Sequence, residues 1–169
     1  MAFDCFMYIE GGNPKAEGET TDAVYEKKKA FEIFSFSWGA SNPVSIGSQG
    51  GGAGAGKVSI SSFNIMKKSD KASSALFLNC CKGTHFDKGT VVLRKAGGDD
   101  PVEYIKYEFE ELFVESLQWS GSAGGDDYPT ESVSFAFAKL NTYYIPQDEK
   151  GKGKTPVPAS WDLRKNTGK

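Results

Sequence analysis

Apolar and polar residues alternate along most of this chain, and that period of two predicts half-buried β-strands. The first predicted strand covers 3–10, with Phe6 and Tyr8 on one face and Cys5, Met7 and Ile9 on the other. Another covers 29–38, where Phe34, Phe36 and Trp38 alternate with Ser35 and Ser37. Five further strands are predicted over 57–67, 90–95, 102–109, 112–120 and 130–145, and a last anchored segment over 161–164.

One segment has the spacing of a helix. Asp70 is placed to cap its first turn and Gly83 to end it. Five residues between them share one face: Ala72, Ala75, Leu76, Asn79 and Cys80. Glu110-Glu111 predicts a bulge or corner between two strands. Many short strands with one helix predict a mainly β fold, a small β-barrel of two packed sheets with one flanking α-helix and a long extended loop.

Length and composition place the chain in a single domain, 1–169. The net charge of −2, with both signs mixed, disfavours nucleic-acid binding and membrane-surface binding. The three cysteines, Cys5, Cys80 and Cys81, form an odd set that fits folding in a reducing, cytoplasmic environment. The N-terminal segment lacks the basic and apolar regions of a signal peptide, and no run is long enough for membrane insertion.

The segment 47–58 comes close to a phosphate-binding loop. Gly51, Gly56 and Lys57 have the required spacing, but Val58 stands where the magnesium-binding hydroxyl is needed. A β-rich run follows instead of the helix whose N-terminus would face the phosphate. A nucleotide-binding enzyme therefore stays a minor hypothesis, which calorimetry with ATP and magnesium would test.

Other candidate chemistry is equally incomplete. His85 with Cys80 and Cys81 supplies too few ligands for structural zinc and lacks an orienting group for thiol catalysis. The aspartate pairs at 99–100 and 126–127 lack the calcium-loop pattern. The glutamates at 108, 110, 111 and 115 are expected on a solvated strand face. We therefore expect no catalytic residue, no cofactor and no metal site, and expect the tryptophans in core or interface packing.

An extended arm, about 40–56, and a polar tail, about 146–160, remain to be explained. Glycine allows close backbone approach, and a long loop in a compact domain is usually functional or disordered. A contact between copies through such an arm would be heterologous and would propagate as rings or tubes. The pattern therefore favours an assembly protein.

Short motifs in a fixed order give the chain a family resemblance. They are Met1-Ala2-Phe3-Asp4, Gly18-Glu19-Thr20, Phe36-Ser37-Trp38-Gly39, Gly54-Ala55-Gly56-Lys57-Val58, Lys95-Ala96-Gly97-Gly98 with Val102-Glu103-Tyr104, Gly124-Gly125-Asp126-Asp127 with Thr130-Glu131, Tyr144-Ile145-Pro146-Gln147 and Trp161-Asp162-Leu163-Arg164. In this order the chain resembles the Hcp family, the haemolysin-coregulated proteins of the type VI secretion system. The resemblance covers nearly the whole chain.

The resemblance implies a non-catalytic subunit of the type VI secretion inner tube. Six copies would form a ring, and stacked rings would carry or chaperone small effector proteins in the lumen. Its partners would be itself, the effectors, and the sheath, tip and baseplate proteins, with no nucleic acid and no membrane insertion. The protein would leave the cytoplasm through type VI secretion. The alternative is a stand-alone secreted effector or binding module on the same fold.

The resemblance also implies roles for particular residues. Ser37 would face the lumen and contact effectors. Ten arm residues would contact a neighbouring subunit: Ser41, Asn42, Pro43, Val44, Ile46, Gly47, Gln49, Gly50, Gly51 and Gly52. Two turns would contact the next ring, through Gly97, Gly98 and Asp99 and through Gly124, Gly125, Asp126 and Asp127. The chain departs from the family pattern at three places, 12–16, 42–43 and 128–129.

Overall fold

The first predicted strand is present as β1, Phe3–Glu10, and its two faces enter two different clusters. Cys5 and Met7 are buried in the main core, while Phe6 is buried in a small cluster with Tyr25, Ala30 and Val92. The structure, a computed structural model, describes residues 3–45, 54–95, 101–125, 127–149 and 151–169. The predicted bounds of this strand are confirmed, and its continuous apolar run at 5–9 supplies both clusters.

Twelve more strands follow in the described ranges, with one helix and one short 3₁₀ turn at Glu26–Lys28. They are β2 Phe31–Glu32, β3 Ser35–Ser37, β4 Ala40–Ser41, β5 Val44–Ser45, β6 Gly54–Ala55, β7 Ser59–Ile60, β8 Phe63–Lys68, α1 Ser73–Lys82, β9 His85–Lys95, β10 Glu103–Ser120, β11 Thr130–Tyr144, β12 Val157–Asp162 and β13 Thr167–Gly168.

The main sheet is antiparallel and folds into two packed layers that share their longest strands. One layer has the order β13-β12-β11-β10-β9-β1-β2. The other has the order β3-β8-β11, because β11 pairs with β12 through 139–144 and with β8 through 130–135. Hydrogen bonds do not close the described sheet into a continuous barrel. The mainly β prediction with packed sheets is confirmed.

Aromatic side chains fill the space between the layers. Phe63 of β8 meets Phe109 of β10 with ring centroids 4.6 Å apart, and Phe137 of β11 lies 4.8 Å from Phe109. Tyr107 and Phe36 extend this contact, with centroids 5.9 Å apart. Because each large ring buries much apolar surface, this cluster contributes to the packing between the layers.

The helix begins and ends near the predicted residues. The Asp70 carboxylate accepts the N–H of Ala72 at 2.9 Å, and the Ser73 hydroxyl accepts the N–H of Asp70 at 2.9 Å. At the other end, Gly83 adopts a left-handed φ of 63° and donates its N–H to carbonyls of the last turn. Of the described helices, none has the length and hydropathy needed to cross a membrane.

The strand predicted over 57–67 is divided into β7, Ser59–Ile60, and β8, Phe63–Lys68. Three further differences concern the bounds of predicted strands. The strand over 29–38 is interrupted at Ile33–Phe34, so β2 and β3 are separate and Phe34 is 55% exposed instead of packed in the core. The strand predicted over 90–95 starts earlier, at His85, so that residue lies in β9 and not in a loop. The sequence did not predict this extension because glycine is unusual inside a strand. Gly89 is needed here because a Cβ would come within 2.7 Å of the Leu112 side chain.

The third difference is that 102–109 and 112–120 form one strand, β10. Glu111 has a φ of 51°, yet pairing keeps its register across it, and the irregularity falls between Val114 and Ser116. The polar tail is also more ordered than expected. Lys154 donates its N–H to the Pro146 carbonyl at 2.7 Å, and β12 pairs with β11 from Val157 onward.

Candidate assembly surfaces

Ser37 lies on an outward face built mainly of short, uncharged polar side chains, here called the serine face. The register of β3, β8, β11 and β10 aligns these side chains in three rows. The rows are Ser37, Asn64, Ser134 and Ser116; Ser35, Met66, Ser132 and Gln118; and Lys68, Thr130 and Ser120. Met66, 39% exposed, is the large apolar side chain in these rows.

Glu115 adds a carboxylate beside the serine face. It accepts a hydrogen bond from the Ser62 hydroxyl at 2.5 Å and one from the Ser134 hydroxyl at 3.4 Å. Hydroxyl and amide groups offer both donors and acceptors without a strong field. The face can therefore make weak, reversible contacts with many protein surfaces.

The arm is an antiparallel hairpin in its described part, not a structureless loop. Its base is closed by β4 with β7, where the Gly39 N–H donates to the Ser61 hydroxyl at 2.9 Å and the Ser61 N–H donates to the Gly39 carbonyl at 2.9 Å. Further out, β5 pairs with β6, and the Gly56 N–H donates to the Pro43 carbonyl at 3.0 Å. A Cβ on Gly56 would lie 2.8 Å from that carbonyl. This glycine therefore serves close approach within the chain.

Four of the ten proposed arm contacts fall in the described part, and all four are exposed: Ser41, Asn42, Pro43 and Val44. The apolar side chain among them, Val44, is 57% exposed. The other six lie outside the described residues: Ile46, Gly47, Gln49, Gly50, Gly51 and Gly52. The arm thus presents an apolar residue to solvent without a partner in the described chain.

The two proposed stacking turns are described only in part. Gly97, Gly98 and Asp99 lie outside the described residues, although the Lys95 N–H donates to the Val102 carbonyl at 3.2 Å across the base of that turn. In the second turn Gly124, Gly125 and Asp127 are exposed, and Asp126 lies outside the described residues. The two turns connect β9 to β10 and β10 to β11.

The other outward face carries charges that alternate from strand to strand. One row crosses β1, β9, β10, β11 and β12 through Glu10, Lys88, Glu110, Lys139 and Asp162. The Lys139 ammonium donates to Glu110 at 2.8 Å and holds the pKa of that carboxyl below its ordinary value. Opposite charges on neighbouring strands stabilise the pairing of those strands, so the charges of this row have opposite charges beside them within the chain.

In the described residues, the candidates for nucleotide binding, thiol catalysis and metal binding are not arranged as those sites require. Lys57 is exposed, and the residues after it enter strand β7, not a helix. His85 packs against Phe113 with ring centroids 5.5 Å apart. Across the described ranges, His, Cys, Asp and Glu do not gather in a group of three or more that could hold a metal ion.

Comparisons with known proteins match this arrangement. The family model described as "Type VI secretion system effector, Hcp" covers residues 6–144. The chain belongs to the Hcp family. Protein hcp1 of Pseudomonas aeruginosa is 36% identical over 111 residues, which is 65% of this chain and 68% of that protein.

Solved structures agree. A solved structure of a type six secretion system protein has a TM-score of 0.89 and 32% sequence identity to this chain. The match covers 99% of this chain and 100% of the other. Hcp1 of Salmonella typhimurium has a TM-score of 0.78 at 28% identity, covering all of both chains. Hcp membership implies a secreted protein of the type VI system, and the family is a structural one, not a known enzyme family.

One feature of this Hcp chain was missed by sequence reasoning: a buried ionic network between β8, β11 and the start of α1. Lys67 and Glu131 are fully buried and face each other across the strands, with Nζ 3.1 Å from Oε2. The Lys67 ammonium also donates to Asp70 at 2.7 Å and to the Lys68 carbonyl at 2.8 Å. The second oxygen of Glu131 accepts the Trp119 indole N–H at 2.6 Å.

Burial has different outcomes for the two carboxyls of this network. For Asp70, burial raises the pKa by more than the Lys67 ammonium lowers it, and the net shift is upward. For Glu131, burial also raises the pKa, but the surrounding hydrogen-bond donors and the charge of Lys67 lower it by more. A lysine in a strand of alternating apolar and polar residues is expected to be solvent-exposed, so the sequence pattern did not predict this buried network.

Proposed function

We propose that this protein is the subunit of the type VI secretion inner tube, forming hexameric rings that stack and carry effectors in their lumen. The observation that carries the proposal is the serine face. A wall that includes Ser37 and is made mainly of short uncharged polar groups, beside the charges of Lys68 and Glu115, suits a channel from which cargo must also leave, because hydroxyl and amide groups bind weakly. Membership of the Hcp family supports the same role.

Folding in the cytoplasm, export through the type VI machinery, and contacts with sheath, tip and baseplate proteins are further parts of this proposal. Ser37 would contact the cargo, the arm would contact a neighbouring subunit, and the turns at 97–99 and 124–127 would contact the next ring. The exposed Val44 supports an intersubunit role for the arm, since burying it against another copy would be favourable.

Native mass spectrometry and negative-stain images of the purified chain test ring formation. Hexameric rings are expected at micromolar concentration, and a strict monomer at high micromolar concentration would contradict the proposal.

The arm gives a separate prediction. A chain lacking 47–56 should stay folded but assemble poorly, and Val44→Lys should weaken association about tenfold or more because it places a charge in an apolar contact. Val24→Lys is the matched control, since Val24 is 54% exposed and lies outside the arm. Unchanged ring formation by the shortened chain would mean that the arm is not an interface.

A stand-alone secreted effector on the same fold is the second candidate, because the family that the chain matches is described as a type VI secretion system effector. Sheath firing in cells that lack this gene distinguishes the two. Firing should be lost if the protein forms the tube, and retained if it is only a passenger.

A further inference from the structure

One large apolar side chain, Met66, lies in the middle of the serine face. It is 39% exposed, and its neighbours along β8 on the same face are Asn64 and Lys68. Directly opposite it on the two adjacent strands lie Ser35 of β3 and Ser132 of β11. In the described rows, Met66 is therefore an apolar group with polar side chains on every side.

The thioether of Met66 differs in exposure from that of Met7. Met7 is fully buried in the main core, whereas Met66 points out of the sheet between two strands that present hydroxyl groups. The third methionine, Met1, lies outside the described residues. Because oxidation of a sulfur atom depends on its exposure, a small oxidant can reach Met66 in the folded chain and Met7 only when the core opens.

The reaction at the sulfur balances with hydrogen peroxide as the oxidant. A lone pair of the Met66 Sδ attacks one peroxide oxygen, so an S–O bond forms and the O–O bond breaks. The sulfur is oxidised by one electron pair, and the departing hydroxide takes the proton of the transferred oxygen to become water. The product, methionine sulfoxide, is polar, and sulfoxide reductases return it to the thioether.

The hydroxyl groups beside Met66 suit this product. Residues opposite each other on antiparallel strands have Cβ atoms about 4.5–5.5 Å apart, so the Ser35 and Ser132 hydroxyls lie close enough to donate to a sulfoxide oxygen. The neighbours of Met66 along β8, Ile65 and Lys67, are buried on the other side of the strand. Oxidation should therefore change the serine face and leave the core intact.

We propose that Met66 is a reversible oxidation site, at which a small peroxide converts the apolar group of the serine face into a polar one. Methionine is flexible and polarisable, so the thioether offers cargo an apolar contact that the hydroxyl groups do not. The sulfoxide removes that contact. Hcp membership implies secretion, and a secreted protein leaves the reducing environment of the cell. The effect on cargo rests on the proposed function, because the serine face must line the lumen.

Peptide mapping by mass spectrometry after treatment with dilute hydrogen peroxide tests the site. Cys81 is alkylated beforehand, because its exposed thiol also reacts. The Met66 peptide should gain one oxygen atom while the Met7 peptide stays unchanged. Since roughly one molecule in a thousand or fewer is unfolded in a stable domain, the ratio of the two rates should exceed about ten. Comparable rates, or oxidation of Met66 only after denaturation, would overturn the proposal.

Reversal and retention of the fold are measured on the same oxidised sample. Methionine sulfoxide reductases with dithiothreitol should return the Met66 peptide to its original mass, and failure to do so would overturn the reversible site. The Tm of the oxidised chain and of Met66→Gln should stay within about 2 °C of the untreated chain, as for other surface changes. Met66→Leu is the matched control, since it keeps the apolar group without a sulfur atom. A larger fall in Tm that peroxide causes in the wild type and not in Met66→Leu would contradict a product that the face accommodates.

Peroxide treatment of assembled rings separates this inference from the proposed function. Met66 should be oxidised in intact rings as well as in dissociated chains, because a lumen admits small molecules. Protection of Met66 in the rings would overturn its role in the lumen and leave ring formation standing. A chain that stays monomeric would contradict the tube proposal, while the contrast between Met66 and Met7 would still support or overturn the oxidation site.

Discussion

Removing the positive charge from the buried network should destabilise the fold more than removing an exposed lysine. Lys67→Met keeps the length and apolar stem of the side chain but leaves Glu131 and Asp70 without their shared ammonium. Both atoms of the Lys67–Glu131 pair lie in residues with fully buried side chains, so water cannot replace the lost partner. Breaking such a pair costs about 3–5 kcal/mol of unfolding free energy.

The size of this effect can be measured by thermal unfolding. For a chain of this length, each kcal/mol lowers the Tm by about 2–4 °C, so Lys67→Met should lower it by roughly 6–20 °C. Lys106→Met is the matched control: its side chain is 31% exposed, and its partner Glu108 keeps Lys88 at 3.2 Å. Loss of such a surface pair costs at most about 1 kcal/mol.

Far-UV circular dichroism in a urea titration gives the two free energies directly. Both variants should be compared at one protein concentration, because association also shifts apparent stability. If the unfolding free energies of Lys67→Met and Lys106→Met differ by less than about 1 kcal/mol, the buried ion pairs of Lys67 do not stabilise the fold as proposed. In the double variant Lys67→Met/Glu131→Leu part of the loss should be recovered, since no unpaired carboxylate then remains at 131.

Two further predictions concern titratable groups elsewhere in the chain. A hydrogen bond from Arg94 at 2.6 Å lowers the pKa of Asp22, so its stabilising contribution is present above the ordinary pKa of about 4 and is lost as the pH falls below it. As the pH falls below about 4, wild-type unfolding free energy should therefore fall more steeply than that of Asp22→Asn, in urea titrations at each pH. Burial raises the pKa of the Cys5 thiol to about 12, while Cys81 is exposed. Peptide mapping after maleimide treatment at about pH 8 should find Cys81 labelled in the native protein and Cys5 only after denaturation; native labelling of Cys5 would contradict its burial.

Local signals in the sequence predicted the elements whose bounds depend on nearby residues. The helix begins near Asp70 and ends before Gly83 because both act within one turn of the chain. Strand β1 has the predicted bounds because its apolar run at 5–9 gives both of its faces residues that pack in clusters. Features set by neighbours far along the chain were not accessible in this way.

Phe34 illustrates that limit. Alternation with Ser35 and Phe36 predicted a continuous strand with a buried ring, but the N–H of Ile33 bonds β1 at the Cys5 carbonyl and the N–H of Phe34 bonds β8 at the Met66 carbonyl. The chain therefore passes from one layer to the other at these two residues, which leaves the ring exposed. No local pattern specifies which strands a segment will join.

The charged row across the sheet has the same origin. Lys88, Glu110 and Lys139 each read as ordinary surface residues, and their alternation in sign exists only once β9, β10 and β11 are placed in register. Glu108 and Glu110 lie on a strand face as predicted, but only Glu110 is well solvated: its side chain is 44% exposed and that of Glu108 is 14% exposed. The structure adds lysine partners for each. The sequence did not predict this row because its residues are far apart along the chain, not because their types are unusual on a surface.

Glu131 connects the buried network to an exposed aromatic side chain at the end of β10. Its Oε2 accepts a hydrogen bond from the buried Lys67, and its Oε1 accepts one from the indole of Trp119, which is 47% exposed. Rotation of the indole away from this position would break a hydrogen bond to a buried carboxylate, so the exposed ring is held in place by the network that joins α1 to the sheet. Loss of Glu131 would therefore release the Trp119 ring as well as leave the Lys67 ammonium without this partner.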